Sequence, residues 1–144
     1  AMATEPPDVT DLLRASLGAP WSGMPSGTTI GHVHLHVADL DVAAGFYHAA
    51  LGFDKVVWSY PGALFLAAGG YHHHLGTNNW AAGAVPAGEE DARLLDWAVV
   101  LPNPEQVELA ARSLESAGYA VAVDGSSRVA ADPWGTRVRL TATR

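Results

Sequence analysis

One helix signature occurs twice in this chain at a nearly constant interval, and that repeat restricts the fold more than any other feature. Asp39 and Asn103, both good helix N-caps, lie 64 residues apart, and the glycines that stop the two helices, Gly52 and Gly118, lie 66 apart. An apolar stripe at helical spacing runs between cap and stop. In the first copy it is Ala43, Phe46, Tyr47, Ala50 and Leu51; in the second it is Val107, Ala110, Ala111 and Leu114. Pro104 takes the first helical position of the second copy, and Gln106 the position a capping box wants. Strand patterns surround each helix. Residues 29–37 precede the first, and 53–59, 63–68 and 71–77 follow it, separated by Tyr60-Pro61-Gly62 and Gly69-Gly70. Residues 94–101 precede the second, and 119–123, 127–131 and 137–141 follow it. The expected class is therefore α+β, with two βαβββ modules forming a curled mixed sheet around a cleft.

The expected boundaries follow from the same marks. Residues 1–28, rich in Pro, Gly and Ser, read as an N-terminal extension or linker, with a helical turn or two over 10–16 capped by Thr10. Residues 29–144 read as the domain: module one over 29–77, a connection over 78–92 and module two over 93–142. A connection of that length is usually functional or mobile.

Composition excludes several kinds of chemistry. The chain has no cysteine, so disulfides, thiolate nucleophiles and cysteine metal sites are ruled out. Its formal net charge of −7 argues against a nucleic-acid partner, which demands a basic face. No apolar run approaches the ~20 residues of a membrane helix, so no membrane partner is expected. The expected location is cytoplasmic.

All seven histidines fall between His32 and His74. Over 29–37 the residues alternate, with Gly31, Val33, Leu35 and Val37 on one face and Ile30, His32, His34 and His36 on the other. One face must meet a core while the other carries three imidazoles. The bland reading of that face is a structural lining bonded to backbone or water. The functional reading is a cleft wall of ligands or proton carriers. If 71–77 is a strand, His72 and His74 share one face and His73 takes the other. His48, near the end of its helix, reads as solvated or dipole-stabilised.

Ile30-Gly31-His32-Val33-His34-Leu35-His36-Val37-Ala38-Asp39-Leu40, then Phe46-Tyr47, Leu51-Gly52-Phe53 and Asp132-Pro133-Trp134-Gly135, resembles a module of the vicinal oxygen chelate superfamily. That superfamily includes glyoxalases, bleomycin-resistance proteins and extradiol dioxygenases. Pro20-Trp21-Ser22-Gly23 and Gly70-Tyr71-His72-His73-His74 make the resemblance closest to the C-terminal half of two-domain catechol 2,3-dioxygenase-like proteins.

The resemblance implies a metal triad that is incomplete here. His32 stands at the first ligand position, Asp96 at the second, and Arg139 where the third, a glutamate, would be. Arginine cannot ligate a metal, so an Asp96–Arg139 ion pair is expected instead. A second possible ligand set joins His32 and Asp96 with His34 or His74. No cofactor is certain; the candidate is a divalent metal, Fe(II), Mn, Zn or Ni. By alignment His73 is the catalytic acid/base; by the face of the strand, His72 and His74 compete for that place. His34, His36, His72, His74, Trp80 and Arg139 are the expected ligand-binding residues. Trp58, Trp97 and Trp134 are weaker aromatic candidates, with Trp97 expected on the core side opposite Asp96. The implied function is binding of a small aromatic ligand in a histidine-lined cleft. Its alternative is an active metal-dependent extradiol dioxygenase, or the C-terminal domain of one. The implied assembly is a homodimer or the partner half of a larger chain.

Overall fold

The computed structural model describes residues 6–16, 18, 20–85 and 87–143. The chain divides into two compact units, Ala1–Ile30 and Gly31–Arg144. In the first, α1 spans Val9–Ala15. Its cap is Asp8, whose side chain accepts from the Asp11 amide at 2.9 Å, and not the expected Thr10. A carboxylate at that end satisfies an orphan amide and also faces the positive pole of the helix, which a threonine hydroxyl does less well.

The second unit holds the two modules. Module one comprises β1 (Val33–His36), α2 (Leu40–Ala44) continuing as a π-helical segment over Gly45–Ala50, β2 (Asp54–Val57), β3 (Ala63–Ala67) and β4 (Leu75–Asn78). Module two comprises β5 (Asp96–Leu101), α3 (Pro104–Ser116), β6 (Val121–Asp124), β7 (Ser127–Ala131) and β8 (Arg137–Ala142). Each forms a four-stranded mixed sheet, in the orders β1-β4-β3-β2 and β5-β8-β7-β6. Both helix caps are where the residues place them. Asp39 accepts from the Asp41 and Val42 amides, and Asn103 accepts from the Gln106 amide at 2.9 Å. Gly52 and Gly118, with φ of 95° and 89°, close the helices in a conformation that L side chains avoid.

One face of each sheet is covered; on the other, β1 and the second sheet carry exposed residues, whereas β3 and β4 are buried along their whole length. The buried cluster joins Leu35, Phe46, Tyr47, Leu66 and Leu75 of module one to Val107, Leu114, Val138 and Leu140 of module two. Each fully buried side chain of this size contributes roughly 1.5–3 kcal/mol through apolar area removed from water. Two polar contacts also cross between the modules. Tyr47 Oη donates to Asp132 Oδ2 at 2.7 Å, and Ser113 Oγ donates to the Ala50 carbonyl at 2.7 Å.

Two strands begin four residues later than expected. β1 begins at Val33 rather than 29, and β4 at Leu75 rather than 71. Pairing decides both, since Val33 is in register with Leu75, and Leu75 with Leu66 near the end of β3. Residues 71–73 lie past those ends, after Gly69 and Gly70 with φ of 63° and 76°, and take no place in the ladder. Among the described residues no helix is long and apolar enough to cross a membrane.

Candidate functional site

The open part of the first sheet lies along β1, beside the buried β4. Leu35 and Val37 turn inward at 8% and 3% exposure, which leaves His34 and His36 on the open side. His34 lies in register with Gly76 on the parallel neighbour. A Cβ at Gly76 would stand 2.7 Å from His34 Cε1 and 2.8 Å from its Nδ1. Only a residue without a side chain leaves room for that ring against β4.

The loop before β4 delivers the remaining imidazoles. Because 71–74 has left strand geometry, strict alternation does not apply, and His72 and His73 both approach His32. Ring centroids of His32 and His73 are 4.6 Å apart, those of His72 and His73 4.6 Å, and those of His32 and His34 5.0 Å. One ring nitrogen each from His32, His72 and His73 lies within 4.8 Å of the others. His73 is buried, whereas His32 and His72 are exposed. His34 Nε2 stands 3.4 Å from His73 Nε2.

An aromatic wall adjoins this cluster. Phe65 presents its ring 5.0 Å from His73 and 5.9 Å from His34, both near edge-on. Tyr60 follows at 6.2 Å from Phe65, and Trp80 at 6.4 Å from Tyr60. The Trp80 indole N–H donates to the Pro61 carbonyl at 3.2 Å, which holds the ring over Gly62.

Burial and neighbouring charge favour the neutral form of two of these imidazoles. Burial, then the positive charges that His32, His72, His34 and His74 can carry, push His73 below its ordinary value of 6.5. Burial and His32 lower His34 in the same way. A lowered folded value means the unfolded chain takes up protons first as pH falls. The stability these groups contribute is complete above pH 6.5 and is lost as pH drops through the lowered values. The melting temperature is therefore expected to hold between pH 7 and 8 and to fall below about 6.5, the ordinary histidine value. A pH series of thermal melts checks this, and the fall should be shallower in His73→Gln.

The other expected site residues lie apart from this donor group. His36 shares the open face, in register with Asn78. His74 accepts the Ala68 amide at 3.2 Å through Nδ1 and packs on Tyr71 and Phe53, so its ring anchors the turn. His48 Nδ1 meets the Phe53 carbonyl at 2.6 Å at the end of its helix. Asp96 is not in the imidazole group. It lies on the bare face of the second sheet, 3.4 Å from Arg139 and 3.8 Å from Arg137. Arg139 also bonds Asp124 at 2.6 Å, and the two carboxylates hold its guanidinium above its ordinary value, Asp124 first. Asp124, Arg137 and Arg139 border an open hollow of about 320 Å³ that Ala122, Val129 and Ala131 also line. Trp97 turns to the core side, its ring 6.3 Å from Tyr47.

Three features escape a reading of the sequence. The convergence of His72 with His73 depends on where the ladder ends, and the Gly69-Gly70 pair was its only local sign. The role of Gly76 depends on a register 42 residues away. The Tyr47–Asp132 contact spans 85 residues.

A profile of the Glyoxalase/Bleomycin resistance protein/Dioxygenase superfamily matches residues 29–140. The chain is 42% identical over 135 residues to Catechol-2,3-dioxygenase of Bacillus subtilis (strain 168), a match that takes in 92% of this chain and 47% of that protein. The chain thus spans about half the length of that curated relative. Among solved structures it resembles a glyoxalase/dioxygenase from Nostoc punctiforme, with a TM-score of 0.66 and 17% identity over 88% of this chain and 99% of the other. It also resembles Lactoylglutathione lyase from Agrobacterium tumefaciens, with a TM-score of 0.59 and 16% identity over 82% and 96%. At those identities the likeness is one of fold.

Proposed function

The chain belongs to the glyoxalase/bleomycin resistance protein/dioxygenase superfamily, and from that premise we propose that its first module binds a small aromatic diol beside a divalent transition metal held by His32, His72 and His73. The observation that carries this reading is the grouping of three ring nitrogens within 4.8 Å, next to the Phe65–Tyr60–Trp80 wall. Imidazole donors suit Zn(II), Fe(II) and Ni(II); Mn(II), which prefers oxygen, fits least. When bound, such an ion supplies a Lewis acid that lowers the pKa of a coordinated hydroxyl.

The protein's own groups do the rest. Trp80, which is exposed, offers apolar ring surface to a flat ligand, and the buried Phe65 backs the imidazoles. His73 would hold the ion through one ring nitrogen while the other faces His34, which leaves no free lone pair for the acid/base role expected of it. His36, on the same face, is a further polar contact. Arg139, paired with Asp96 and Asp124 on the second sheet, is not part of this donor group.

Metal-free protein titrated anaerobically with Zn(II) or Fe(II), followed by calorimetry with catechol, tests this. One ion per chain and diol binding weakened about tenfold or more by chelator are expected, because ligand and ion share the site. Diol binding indifferent to chelator would return the domain to a metal-free binding role.

A second reading, ring cleavage, is favoured by the identity to the Bacillus subtilis dioxygenase. In it, the remainder of the cleft comes from a second copy of this chain or from a longer polypeptide. Aerobic incubation of the iron-loaded protein with catechol decides it through the absorbance of a ring-opened product.

A further inference from the structure

We propose that His34 is the positioning residue of His73: it accepts a hydrogen bond from His73 Nε2–H and so reserves the Nδ1 lone pair of His73 for the ion. This inference rests on the metal reading above and names the group that prepares the site for it.

His34 belongs to the imidazole cluster but not to its donor group, which comprises His32, His72 and His73. Its Nε2 faces His73 Nε2 at 3.4 Å. A hydrogen bond between two imidazole nitrogens needs one donor and one acceptor, so it places a single proton between them. If His34 supplied it, the lone pair at His73 Nε2 would be consumed and a neutral His73 would carry its own proton on Nδ1, with nothing left for a ligand. If His73 supplies it, Nδ1 is free. An imidazole that ligates a metal generally donates its other N–H to an acceptor, which fixes the tautomer and raises its basicity.

The backbone explains why His73 needs such a partner. His34 stands on β1, locked in parallel register with β4. His73 stands in the irregular segment before β4, with no place in that ladder. A side chain on a hydrogen-bonded strand therefore orients one on an irregular segment. Gly76 makes the arrangement possible by leaving its floor open, and the rings of Phe65 and His32 flank His34 at 5.9 and 5.0 Å.

The experiment uses the full chain and two readouts. In ¹⁵N-labelled metal-free protein, a through-hydrogen-bond coupling between the two Nε2 nuclei is expected, with the proton attached to His73. In parallel, Co(II) and Zn(II) affinities are measured for His34→Phe, which fills the space without an acceptor, and for His34→Gln, whose carbonyl can accept. His34→Phe should lose roughly 10–100-fold in affinity, and His34→Gln should recover most of it. Gly76→Ala, which crowds the ring, should behave like His34→Phe while keeping a cooperative melt. A proton found on His34, or wild-type affinity in His34→Phe, overturns the proposal. Wild-type protein that binds no ion yet shows the coupling from His73 removes the metal reading and leaves the positioning role in place.

Discussion

Asp132→Ala is expected to lower the stability of the domain by roughly 3–5 kcal/mol, more than any other single polar truncation in it, because several hydrogen bonds to one buried charge are lost together. Asp132 is 5% exposed. One carboxylate oxygen accepts the Tyr47 hydroxyl at 2.7 Å, and the other accepts the Trp134 and Thr136 amides at 2.9 and 2.8 Å. Removing it orphans a fully buried hydroxyl and two amides of the turn that launches β8. Tyr47 keeps its proton, because burial and then the Asp132 charge push its phenol far above the ordinary value of 10. Tyr47→Phe leaves one carboxylate oxygen unsatisfied and should cost about 2 kcal/mol. Asp132→Asn, which retains an acceptor for the turn, should cost less than either truncation. Urea unfolding checks the order through the midpoint at constant slope. If Asp132→Ala fell within 1 kcal/mol of wild type, the contact would not be what clasps module one to module two.

The three consecutive histidines are expected to separate sharply when each is replaced by alanine. His72→Ala and His73→Ala each remove one of three donors and should weaken Zn(II) binding by more than the roughly 10–100-fold typical of an outer-shell loss. His74→Ala should leave ion affinity near wild type and lower the melting temperature instead, since its ring bonds the Ala68 amide and packs on Phe53 and Tyr71. Competition with a zinc-sensitive dye, together with a melting curve for each variant, measures both effects. Equal losses for all three histidines would mean that the donor group is not His32, His72 and His73.

The histidine run shows how far a reading of the residues reaches. Alternation over 29–37 is enough to put His34 and His36 opposite Leu35 and Val37, and the structure has them so. The same rule applied to 71–77 splits His72 and His74 from His73, and there it fails. Period two holds only inside a hydrogen-bonded ladder, and this ladder starts at Leu75. The N-terminal cap shows the same limit on a smaller scale. Thr10 and Asp8 are both competent caps, and the chain enters its helix two residues earlier than expected. On the second sheet, Asp96 and Arg139 meet because β5 and β8 are adjacent and parallel, with Asp96 opposite Arg137 and Ala98 opposite Arg139. The family pattern anticipates that meeting. Asp124, the nearer partner of Arg139, reaches it from β6, two strands away, and no local pattern points to it.

Sequence alone determined the repeat, the caps and glycine stops of the two module helices, and which face of β1 is apolar. These depend on contacts within a few residues, whose physics is written locally. Tertiary structure decided which imidazoles converge, which glycine makes room for them and which carboxylate joins the modules. Those outcomes depend on register between strands distant in the chain, where a shift of one residue sends every side chain to the opposite face.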